Sequence, residues 1–224
     1  MEQFCWNGVT GTTATFNDTG ASDMGLGWSL DDEVQSGDAD SVQTQRCFVA
    51  LPLPHGIRKT LAELHRVFDP SWTMPIRWVD ESRIHVTLAF LGDVPRAWIP
   101  KISDGLSQAC AQTPPMSLSV GALGAFPSTH RPRVIWGGLE GEVDVLAHLQ
   151  RDIARELRTM EVPFDDRHFA PHLTLGRLRH DAPRNLVGQV AERLARPVDV
   201  PDLRFVADHV EFVASHLGEA PPRY

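Results

Sequence analysis

Two short apolar runs of the chain each carry a histidine and a threonine two residues apart, followed by leucine: His85-Val86-Thr87-Leu88 and His172-Leu173-Thr174-Leu175. A single His-x-Thr triplet means little, but chance supplies the four-residue pattern only roughly 0.06 times in a chain of this make-up. In an extended strand alternate side chains share a face, so His85 and Thr87 point one way while Val86 and Leu88 point the other. His172 and Thr174 stand in the same relation to Leu173 and Leu175. Burying an imidazole and a hydroxyl costs free energy unless each finds a partner, so a polar pair repeated in two apolar strands points to a ligand.

Set side by side, the strands would aim two imidazoles and two hydroxyls at one cavity, a set that suits a phosphodiester. The hydroxyls can donate to non-bridging phosphate oxygens. A neutral imidazole can deprotonate an attacking water, and an imidazolium can protonate the departing oxygen. Histidine can play both parts near neutral pH. There is no Cys-x-x-Cys and no His-Glu-x-x-His, and the other eight histidines lack ligand-like spacing, so neither metal nor cofactor is expected.

The elements that must position these residues follow from apolar periodicity. Strands are expected over residues 46–51, 76–79, 84–91, 116–123, 133–139, 171–178 and 204–214. A helix over 56–68 places Ile57, Leu61, Leu64 and Phe68 on one face. A second, over 95–111, repeats Trp98, Ile102, Leu106 and Ala109, with Pro100 in its first turn. A third spans 142–160 with Leu146, Leu149, Ile153 and Leu157, and a fourth begins at Pro183 with Leu186, Val190 and Leu194. Strands mixed with helices without regular βαβ alternation indicate an α+β fold.

The chain has 224 residues, 42% of them hydrophobic, enough for one large domain or two small lobes. Cys5, Cys47 and Cys110 are too few and too scattered for a disulfide framework, and read as reduced thiols of a cytoplasmic protein. No apolar stretch reaches membrane-spanning length, so no membrane association is expected. Of 29 acids, eight lie in residues 1–45, which hold no Lys or Arg; the other 21 balance all 21 bases. Residues 1–44 therefore read as an acidic, disordered leader to a domain over 45–224. A neutral body lacks the broad basic footprint needed to grip a duplex, but can take a strand end or a small nucleotide.

Together these stretches resemble a known family. His85–Gly92 and Phe169–Arg177 are similar to the two signature motifs of the two-histidine (2H) phosphoesterases. Within that superfamily the likeness is to the RNA 2′,3′-cyclic phosphodiesterases, also described as 2′-5′ RNA ligases. Arg46–Leu51 resembles the family's first strand, Ile76–Val79 the strand before the first motif, and Gly124–Trp136 the segment between lobes. The resemblance covers about 46–224. It implies two pseudo-symmetric lobes, each an antiparallel sheet backed by helices, facing each other across a central cleft.

It also implies a monomeric, metal-independent enzyme that opens the 2′,3′-cyclic phosphate of an RNA 3′ end or a small nucleotide to a 2′-phosphate. Run backwards, the same chemistry would join RNA ends through a 2′-5′ linkage. His172 would be the base and His85 the acid, in an assignment that near mirror-image motifs barely separate. Thr87 and Thr174 would hold non-bridging oxygens, and Arg177 would neutralise charge. Phe48, Phe126 and Trp136 would form the pocket that selects the substrate, with Arg133 beside it. Arg131, Arg167 and Arg179 are further basic residues in family-like places. Strict alternation, however, puts Arg177 on the face of Leu173, so the strand must end or twist by Gly176. The competing readings are a nucleotide-binding module without turnover and a 2H phosphodiesterase for 2′-5′ oligoadenylate or another small cyclic phosphate.

Overall fold

The structure, a computed structural model, describes residues 2–5, 43–71, 73–196, 198 and 200–215. Within these residues nine strands form one antiparallel sheet: β1 (Glu2–Cys5), β2 (Thr44–Pro52), β3 (Ile76–Trp78), β4 (His85–Pro95), β5 (Met116–Ser128), β6 (Arg131–Gly141), β7 (Leu173–Leu178), β8 (Arg204–Ala207) and β9 (His209–Ser215). Their order is β1-β9-β2-β4-β7-β6-β5-β8, with β3 alongside β7. The helices are α1 (His55–Phe68), α2 (Ile99–Cys110), α3 (Val143–Thr159) and α4 (Arg184–Leu194). This is the expected α+β fold of two antiparallel halves, β1-β9-β2-β4 and β7-β6-β5-β8, each backed by helices.

The predicted stripes form the core. Leu61, Leu64 and Phe68 of α1 are buried, and Leu146, Leu149, Ile153 and Leu157 of α3 are wholly inaccessible. Pro100 sits in the first turn of α2, where its missing N–H costs no intrahelical bond. Trp98 departs from expectation: it lies in a 3₁₀ turn before α2 and is exposed, and the buried stripe is Ile102, Gly105, Leu106 and Cys110. In α4 only Val190 of the three predicted residues is buried, because that helix covers the small cluster of Phe68, Ile135 and Leu178, away from the main core.

Several boundaries differ from the sequence reading: β5 runs on to Ser128, and β7 begins at Leu173, one residue after His172. The single strand expected over 204–214 is broken at Asp208, and its two parts pair at opposite ends of the sheet, β8 with β5 and β9 with β2. The buried positions change phase at the break, from Phe205 and Ala207 to Val210 and Phe212, a shift that the reading of one strand passed over. Glu2–Cys5, assigned to the leader, form an edge strand antiparallel to β9, with Gln3 opposite Glu211. Residues 6–42, the remainder of the expected leader up to Gln43, lie outside the described residues, as does the chain after Ser215. Finally, β4 runs on through Gly92, whose φ of +69° sits beside a bulge against β2. Residues with side chains rarely adopt that conformation.

Candidate active site

The two motif strands meet at the seam between the halves. Among the described residues β4 and β7 pair through Val86 and Leu173, both fully buried. One step to either side of that antiparallel pair carries His85 opposite Thr174 and Thr87 opposite His172. The two histidines are then diagonal neighbours on one face, a relation that sets Cβ atoms roughly 7–8 Å apart. The two threonines occupy the other diagonal. His85, Thr87, Thr174 and Arg177 line a cleft of about 860 Å³.

Arg177 reaches this cleft through a local irregularity. β7 pairs with β6 as Trp136 with Thr174 and Ile135 with Gly176, so Leu175 is an extra residue with no opposite partner. A bulge of this kind flips the alternation beyond it. Leu175 and Leu178 are buried while Thr174 and Arg177 face outward. The twist required by Gly176 is present.

Each histidine bonds to the backbone two residues before it. His172 Nδ1 lies 2.7 Å from the carbonyl oxygen of Ala170, two residues earlier. A donating Nδ1–H there leaves Nε2 with a free lone pair. His85 bonds to the backbone of Arg83, again two residues earlier. Burial pushes the His85 imidazole below the ordinary histidine range, and that hydrogen bond opposes the shift.

Two of the expected pocket aromatics pack directly on the motif imidazoles. Phe48 stacks on the His85 ring at 4.9 Å and 20°. Phe126 meets the His172 ring edge-on at 4.9 Å and 86°, and Trp136 lies 5.3 Å behind Phe126. A Cβ on Gly124 would come within 2.3 Å of the Trp136 ring, so glycine is what lets the indole lie there. His172, Phe48, Phe126, Trp136 and the exposed Arg133 are not among the residues that line the cleft, and His172 stands beside it. Arg167 and Arg179 are tied to Asp165 and Asp181.

The cleft wall is built instead by α1, β3 and the turn before β4: Ala62, His65, Arg77, Trp78, Asp80 and Arg83 among them. Sequence reasoning placed none of these in the site, although Ile76–Val79 was among the stretches that resemble the family. Pairing of β3 with β7 beyond Leu173 brings them in. Among the described residues no three His, Cys, Asp or Glu side chains converge, and no helix is long and apolar enough to cross a membrane.

The family comparison follows this architecture. The LigT-like phosphoesterase family matches the chain twice, over residues 51–136 and 139–224. The chain belongs to the LigT-like phosphoesterase family. Its two matched segments split within β6, and each contains one His-x-Thr motif. An RNA 2′,3′-cyclic phosphodiesterase of Geobacillus stearothermophilus is 34% identical over 131 residues, 58% of this chain but only 41% of that protein. One from Thermotoga maritima is 28% identical over 184 residues, 80% of this chain and 91% of its own length. Among solved structures, E. coli LigT complexed with 3′-AMP superposes with a TM-score of 0.56 at 25% identity, covering 81% of this chain and 94% of that one. The TT0787 protein of Thermus thermophilus gives 0.62 at 24% identity, over 78% and 90%. This LigT-like phosphoesterase thus shares its fold with the two solved structures.

Proposed function

We propose that the protein hydrolyses the 2′,3′-cyclic phosphate at an RNA 3′ end to a 2′-phosphate, without a metal, through His85 and His172. The observation that carries the reading is the Val86–Leu173 pair, flanked by one imidazole and one hydroxyl on each strand. It is supported by the names of the Geobacillus and Thermotoga relatives.

In the proposed reaction His172 Nε2 takes a proton from water, whose oxygen forms a bond to phosphorus. The bond from phosphorus to the 3′-oxygen breaks, and His85 gives its proton to that oxygen. Thr87 and Thr174 donate to the non-bridging oxygens, and Arg177 offsets their growing charge. The same sequence, with a ribose 5′-hydroxyl in place of water, would make a 2′-5′ linkage. The His85 proton must be restored against its burial, and a bound anionic phosphate favours the charged imidazole.

The deciding experiment is turnover of nucleoside 2′,3′-cyclic phosphates with EDTA present, followed by identification of the product isomer. A 2′-phosphate formed at an undiminished rate is expected. Activity abolished by EDTA and restored by a divalent ion would overturn the mechanism, and a 3′-phosphate product would reverse the direction of opening.

A further inference from the structure

Arg77 of β3 stands directly opposite Arg177 of β7. Directly opposed residues of an antiparallel pair project from the same face, and like charges so placed destabilise a sheet. Both arginines are exposed and both line the cleft. Among the described residues neither has an ion-pair partner, although carboxylates are close by. Glu81 pairs with His55 at 2.7 Å, and Asp80 accepts from both the backbone N–H and the hydroxyl of Ser82. Two unneutralised guanidinium groups side by side in a cleft call for an anion.

One phosphate does not account for both. The hydroxyls that face the reacting phosphate belong to Thr87 and Thr174, and both arginines stand three positions further along β7, an offset that the bulge at Leu175 shortens to two residues of β6. At ~3.3 Å per residue that is on the order of 7 Å. In the proposed reaction Arg177 answers the reacting phosphate, which leaves the guanidinium of Arg77 without an anion. The cleft extends to its side, towards α1 and the 80–83 turn.

We infer that Arg77 is a specificity-determining residue that holds the phosphodiester next to the terminal nucleotide, making the enzyme prefer an RNA strand over a mononucleotide. The inference rests on the reading under Proposed function and adds to it the recognition of a second phosphate. Arg177 serves the reacting phosphate, Arg77 its neighbour.

The test compares three substrates ending in a 2′,3′-cyclic phosphate: a mononucleotide, a dinucleotide, and a dinucleotide whose internal linkage is an uncharged methylphosphonate. Wild type should favour the charged dinucleotide over the other two. Arg77→Ala should lower kcat/KM about tenfold on the charged dinucleotide, the low end for losing a charge-assisted contact. It should change the other two less than about twofold on the same grounds. The slope of log kcat/KM against log salt on the charged dinucleotide should fall by about 0.7, the loss of one single-strand phosphate contact. Equal losses on all three would place Arg77 on the reacting phosphate, and no loss on any would remove it from recognition; either result overturns the inference. Should wild type turn over none of them, the reading of the reaction fails by itself. Calorimetric binding of a dinucleotide 2′-phosphate against a nucleoside 2′-phosphate then decides: a selective tenfold loss in Arg77→Ala upholds the second site, and an unselective or absent loss overturns it. Arg77→Gln, which keeps the side chain's length, should repeat the result, and far-UV circular dichroism reports folding of both variants.

Discussion

Val86 and Leu173 face each other, fully buried, at the seam where β4 and β7 join the two halves of the sheet. The relation fixes the site. Each strand has a histidine on one side of this pair and a threonine on the other, and the strands run in opposite directions. The imidazoles therefore fall on one diagonal and the hydroxyls on the other, around a point where one phosphorus can sit.

His85→Ala and His172→Ala should each lower kcat by ~10²–10⁴, the usual worth of one general acid or base. The double variant should lose less than the product, because groups acting together are not additive. With a nitrophenolate leaving group, which needs no proton, His85→Ala should recover and His172→Ala should not. The opposite pattern of rescue would exchange the two roles.

The pH dependence should reflect the burial of His85. As the acid it must be protonated, and its affinity for the proton is reduced in the free protein. The basic limb of kcat/KM should then fall below the ordinary histidine range. Bound phosphate raises that affinity, so the basic limb of kcat should lie at higher pH. Profiles measured for both parameters check this; coincident limbs would mean that the substrate's charge is not felt at His85.

Thr87→Ala and Thr174→Ala should fold normally and weaken phosphate stabilisation. Loss of one oxyanion donor costs ~10²–10³ in kcat in a rigid site, and a site with two hydroxyls should lose somewhat less. Steady-state kinetics of both variants decide the matter, and unchanged rates would make the threonines structural.

Gly124→Ala should act at a distance. The added carbon would meet the Trp136 ring at 2.3 Å, forcing the indole against Phe126 and so against His172. Overpacking of this kind costs about 1–3 kcal/mol, readable by urea denaturation, and kcat should drop with it. Adding Trp136→Leu should restore much of the stability. A single variant as stable and active as the parent would show that the aromatic stack does not position His172.

Removal of residues 1–42 would take β1 off the edge at β9, three strands away from β4. Thermal stability should fall, since an unpaired edge is exposed. Turnover should stay within about tenfold, equivalent to about 1.4 kcal/mol. A larger loss of kcat/KM would connect the leader to the site.

The parts of this protein were legible in the chain alone. Periods of 2 and 3.6 residues located the strands and helices, since burial of one face is a local pattern, and a repeated His-x-Thr-Leu singled out four candidate site residues. The relations between those parts came from the packed fold. Pairing register is a property of two strands at once, so neither motif alone could place His85 diagonal to His172. The bulge at Leu175, which brings Arg177 to the cleft, depends on how β6 lies beside β7. The resemblance implies pocket walls at Phe48 and Phe126; only the positions of the rings show that both also touch the imidazoles. Arg77 carried no signal of its own in a strand of three residues, and became part of the site because β3 pairs with β7 a hundred residues away in sequence.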